Sequence, residues 1–71
     1  MNDYHINVFY SDEDGGYIAD IPDLHACSAF GKTPQEAVAE VQLAKEAWLA
    51  AAREENRPIP EPRYRPAAET R

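Results

Sequence analysis

The 71-residue sequence predicts a single α+β domain, a three-stranded antiparallel sheet covered by one long helix. Two observations carry that reading: apolar residues alternate with a period of two near the N-terminus, and an N-cap signal introduces a long run of helix formers. The first strand lies in residues 4–10, where Tyr4, Ile6, Val8 and Tyr10 occupy the even positions and His5, Asn7 and Phe9 the odd ones. The even face is expected to be buried, and Phe9 keeps the other face from being wholly polar. Residues 11–16, Ser-Asp-Glu-Asp-Gly-Gly, collect turn formers and two glycines able to take positive φ. With the strand-like residues 17–21 they form a β-hairpin.

Pro22 lacks a backbone donor and ends the second strand, so a loop carries the chain through Leu24 and His25. Residues 26–30 form the third strand, small apart from Phe30 and closed by Gly31. Thr33-Pro34-Gln35-Glu36 then sets a Thr at the N-cap, a Pro at the first helical position and a Glu that reaches back to the backbone N–H of the cap. The helix runs to about residue 55. Ala37, Val41, Ala44, Trp48 and Ala52 share the face that meets the sheet, flanked by Val38 and Leu49. A second stripe, Ala39, Leu43, Ala47 and Ala50, lies opposite and is a candidate oligomer interface at Leu43, Ala47 and Ala50. Prolines 58, 60, 62 and 66 end helical structure. That segment is extended, as polyproline II or as a short fourth edge strand, and residues 63–71 form a flexible C-terminal tail after a domain spanning 1–62.

Composition narrows the function. The net charge is −6, but residues 1–31 hold Asp3, Asp12, Glu13, Asp14, Asp20 and Asp23 with no Lys or Arg, whereas residues 32–71 hold seven acids and seven bases. An acidic half repels nucleic acid and draws basic partners. One cysteine, Cys27, excludes an internal disulfide and suits a reducing compartment, and no segment reads as a secretion signal or a membrane span. A cytoplasmic location is therefore expected. A chain this short builds a small core, which makes self-association through sheet edges or the helix stripe a natural expectation.

Order and spacing together resemble the HicB family of type II antitoxins over residues 4–62: a strand, Tyr10-Ser-Asp-Glu-Asp-Gly-Gly-Tyr-Ile-Ala-Asp-Ile-Pro-Asp-Leu24, a small-residue strand closing on Gly31, Thr33-Pro-Gln-Glu-Ala-Val38, a long helix and Pro58-Ile-Pro-Glu-Pro62. The resemblance implies a β-β-β-α-β arrangement akin to a trimmed ribonuclease H fold without nuclease activity. It also implies a partner, a small basic mRNA-cleaving toxin of the HicA type whose active site the antitoxin occludes. The partner-binding residues expected are Asp12, Glu13, Asp14, Asp20, Asp23 and His25. Longer members carry a C-terminal DNA-binding domain that these 71 residues do not contain, so direct nucleic acid binding is not expected. The alternative is a solitary HicB-like oligomeric scaffold or regulator without a toxin.

Enzymatic readings are weaker. Two-metal chemistry needs carboxylates converging from rigid elements, and three of the five candidates are consecutive at a hairpin tip. Asp23, His25 and Cys27 evoke an orienter, base and nucleophile. A lone Cys among Ala26, Ser28 and Ala29 is nonetheless more often a small buried apolar residue. His5 and His25 lack metal-ligand spacing, and Gly15-Gly16 leads into a strand rather than a phosphate-binding helix. No catalytic residue, metal or cofactor is expected.

Overall fold

The computed structural model describes residues 3–65. Its elements are β1 (Asn7–Ser11), β2 (Gly16–Asp20), β3 (Ser28–Gly31) and α1 (Pro34–Glu54). The strands form an antiparallel meander in the order β1-β2-β3, with Phe9 opposite Ile18 and Ile18 opposite Phe30. This is the predicted α+β arrangement. Residues 57–65 carry no strand, so a fourth strand is absent among the described residues.

The start of the helix follows from its cap. Thr33 is extended, its Oγ1 accepts from the Glu36 N–H at 3.1 Å, and Pro34 opens the first turn. The Glu36 carboxylate does reach back, but it accepts from the N–H of Lys32 (2.9 Å), one residue before the cap. At the other end Asn56 takes φ +57, and Arg57 N–H reaches the Ala52 carbonyl.

Alternation assigns the faces of the sheet. Val8, Ala19 and Ala29 form one row toward the helix, and Tyr10, Tyr17 and Gly31 the next. The small residues of β3 let α1 settle close, and Ala37 and Val41 are fully buried against them. Ala52 is buried too, with Ala44 and Trp48 partly covered, so the predicted helix face is the packed one. The helix lies chiefly over β2 and β3, however, and meets β1 least. Val8 is 37 % and Tyr10 55 % exposed, contrary to the expectation that the even positions are buried; only Tyr4 and Ile6 pack on the core.

Much of the core comes from the loop after β2. Ile21 N–H bonds to Cys27 O, Leu24 N–H to Ile21 O and Cys27 N–H to Leu24 O, two successive turns that send Ile21, Leu24 and Cys27 inward. Ala26 adopts φ +58, so β3 begins at Ser28 rather than at residue 26. Of the hairpin glycines only Gly15 takes positive φ; Gly16 is already strand, and the Phe30 ring occupies the space where a side chain would stand.

The proline-rich segment folds back over the start of the chain. The Tyr4 hydroxyl donates to the Pro60 carbonyl, and the Tyr64 ring lies 4.9 Å from His5. Arg63 and Tyr64 N–H groups both donate to Asp23 Oδ2, at 3.2 and 3.1 Å. The part of the expected flexible tail that is described, residues 63–65, is therefore docked at its first two residues; 66–71 lie outside the described residues.

Candidate functional site

The six residues expected to bind a partner fall into two groups at opposite ends of β2. Asp12, Glu13 and Asp14 are exposed on the β1–β2 tip, where the Ser11 hydroxyl donates to Asp14 Oδ2 at 2.9 Å and accepts from the Asp14 N–H. Asp20, Asp23 and His25 lie beyond the other end. Five residues at about 3.3 Å each put roughly 15 Å between the groups. They do not form one patch.

Within the second group Asp20 and His25 line one open cavity of about 330 Å³, together with Ala26, Cys27 and Ser28. Asp23 turns away to hold the tail, so one of its oxygens is already engaged. His25 is exposed, while its carbonyl accepts from Trp48 Nε1 at 2.9 Å, tying loop to helix. Trp48 in turn lies 5.6 Å beneath the Arg57 guanidinium.

The left-handed turn at Ala26 separates His25 from Cys27: the imidazole faces solvent and the thiol enters the core. Burial pushes the Cys27 thiol pKa up, with Lys45 acting weakly in the other direction. An activated nucleophile needs the reverse. Among the described residues no three His, Cys, Asp or Glu side chains gather where a metal ion could be held.

Phe9, Ile18 and Phe30 form an element that the sequence reading missed. They make one continuous row on the sheet face away from the helix, with Phe9 50 % and Phe30 41 % exposed and Ile18 half-buried between them. The next row, Asn7, Asp20 and Ser28, is polar, and the acidic tip lies past the other side. A signal was present in the out-of-phase Phe9 and in Phe30, the one large residue of β3. Combining them required the register of all three strands. The helix stripe Ala39, Leu43, Ala47 and Ala50 is exposed, Leu43 at 65 %. No described helix is long and apolar enough to cross a membrane.

Asp3 and Tyr4 complete the electrostatics at the chain start. The Tyr4 N–H and then the Lys45 ammonium, 3.2 Å away, lower the Asp3 pKa. Burial first, and then the charges of Asp23 and Asp3, raise that of the Tyr4 phenol.

Two curated relatives share most of the chain. It is 38 % identical over 53 residues to the UPF0150 protein ssl0259 of Synechocystis, covering 75 % of this chain and 73 % of that one. It is 34 % identical over 53 residues to the UPF0150 protein Ta0767 of Thermoplasma acidophilum, covering 75 % and 77 %. No family model matches, and no solved structure matches significantly.

Proposed function

The chain belongs to the UPF0150 family, and from that premise we propose that it is a non-enzymatic binding domain of the HicB antitoxin type, which holds a small basic ribonuclease toxin and occludes its active site. The observation that carries this reading is the outer sheet face: an exposed apolar row, Phe9–Ile18–Phe30, framed by Asp20 on one side and the Asp12–Asp14 tip on the other. No Lys or Arg occurs in residues 1–31. Apolar side chains supply contact area, and the flanking carboxylates steer a cationic partner toward it.

The two acidic groups act as opposite ends of one platform, since about 15 Å matches the width of a small partner's contact face rather than a single ion-pair cluster. His25 and Asp20 contribute at the cavity end. Asp23 serves mainly the fold, through the tail. The buried Cys27 thiol and the predicted reducing environment fit a cytoplasmic setting.

Co-expression with any small basic protein encoded beside this gene tests the proposal. The expected result is a stable complex in which RNA cleavage by that protein stops at stoichiometric ratio, and in which D12N/E13Q/D14N together with Asp20→Asn slows association most at low salt. Absence of a basic neighbour, or unabated RNA cleavage in the presence of excess domain, refutes it.

A further inference from the structure

Residues 58–64 are tied down at few points. Prolines 58, 60 and 62 have no N–H, which leaves this stretch few donors with which to join a sheet. Its attachments among the described residues are the Tyr4 hydroxyl on the Pro60 carbonyl, the His5 ring against Tyr64, and Asp23 Oδ2, which accepts the N–H groups of both Arg63 and Tyr64. Both ends of the tail grip one loop. At the far end Asp23 is the acceptor, and at the near end Arg57 lies over Trp48, whose Nε1 donates to the His25 carbonyl. Pro22, Leu24 and His25 of that loop also line the cavity bordered by Asp20.

Charge says what else this loop can hold. Residues 57–65 contain Arg57, Arg63 and Arg65 against one acid, Glu61, and they are laid on a half of the chain that holds six acids and no Lys or Arg. The protein thus covers its acidic loop with a basic segment of its own. Yet that segment grips with neutral donors: the bonds to Asp23 come from the main chain and are solvent-exposed, and among the described residues neither Arg63 nor Arg65 forms a salt bridge. A guanidinium would hold the same carboxylate more firmly, because its two N–H bonds are charge-assisted.

We propose that the tail is an autoinhibitory strap, which occupies Asp23 in the free protein and is displaced from that carboxylate by an arginine-bearing segment of a basic protein partner. The occupant, though not the strap, rests on the basic-partner reading above. Displacement leaves the sheet and helix as they are, since the strap departs after Asn56, whose left-handed backbone already ends the helix. Asp23 thereby serves the fold in the free chain and the partner in the complex.

A fluorescent hexa-arginine peptide, with hexa-glutamate as the control, tests the strap on the full chain at low salt. Tyr64→Pro removes one donor and the ring contact but keeps the Asp23 carboxylate. It should bind hexa-arginine about tenfold more tightly than the unaltered chain, the gain expected on removing a competitor that is docked about nine-tenths of the time. That gain should persist in a D12N/E13Q/D14N background and vanish when Asp23→Asn is added. In the unaltered chain, saturating hexa-arginine should speed amide exchange at Arg63 and Tyr64 and separate His5 from Tyr64; if Tyr64→Pro loses its far-ultraviolet dichroism, this measurement decides alone. Equal affinities of the folded variant and the unaltered chain overturn the proposal. So does exchange at Arg63 and Tyr64 that the peptide leaves unchanged, a gain that survives Asp23→Asn, or one that hexa-glutamate shares. Whether a ribonuclease is neutralised is read separately, by co-expression, so the strap and the toxin reading can fail independently.

Discussion

Substituting Gly31 by alanine tests the packing of helix on sheet most directly. Gly31 ends β3 under the first turn of α1, and a Cβ there would run into main-chain atoms of Glu36 and Ala37, all closer than van der Waals contact allows. Backbone cannot rotate out of the way as a side chain can, and this turn is held by the Thr33 cap on one side and by buried Ala37 on the other. The helix start must lift or the strand must bend, at about 3 kcal/mol by the upper range for overpacked cores. Gly15→Ala is the control: its φ of +69 strains an alanine, but nothing lies within 4 Å of the new methyl, so about 1 kcal/mol is expected. A domain of this length has roughly 4–10 kcal/mol in all. Urea unfolding followed by the fluorescence of Trp48, the single tryptophan, reads both. With a slope of about 1 kcal/mol per molar, the midpoint should fall by about 3 M for Gly31→Ala and by about 1 M for Gly15→Ala, at one protein concentration. A smaller loss at Gly31 than at Gly15 would refute the close-approach argument.

Three further outcomes follow from the tail and the core. Asp23→Ala should cost about 1 kcal/mol, since its two hydrogen bonds are solvent-exposed, and should speed amide exchange at Arg63 and Tyr64 while leaving β2 protected; unchanged exchange would mean the tail is held elsewhere. The Tyr4 phenol pKa is raised above its unfolded value, so its contribution is complete below about pH 10 and is lost as pH rises through the higher folded value. Ultraviolet titration should show one tyrosine ionising late, with loss of the His5–Tyr64 contact by NMR, and Tyr4→Phe should remove that late step. Cys27, buried and with a raised pKa, should react with a thiol reagent at mildly alkaline pH at least tenfold more slowly than after addition of denaturant; equal rates would contradict its burial.

Much of this fold could be read from residue order because its strongest signals are local. The Thr33 cap, Pro34, the helix-former run and the hairpin turn each act within a few residues, and each lies where expected. The strand faces were harder. Period two in residues 4–10 identified a strand, but which face is covered depends on where a 21-residue helix lies across the sheet, and α1 meets β1 least. The left-handed Ala26 left no local mark, since alanine does not favour that region, and with it went the separation of His25 from Cys27. The acidic residues are grouped in the sequence, but that a strand divides them is a matter of tertiary distance. Asp23 looked like its neighbours until its partners, 40 and 41 residues away, were in place.

The meander also sets an order of assembly. Every strand pairs with its neighbour in sequence, and the helix packs onto the strand that precedes it, so these contacts close over short loops. The bond from Tyr4 to Pro60 spans 56 residues and can form only when nearly the whole chain is present. During synthesis the sheet emerges first, with Val8, Phe9, Tyr10 and the face later taken by α1 all open, and the tail arrives last. In refolding, the Trp48 signal should therefore recover before the His5–Tyr64 contact does.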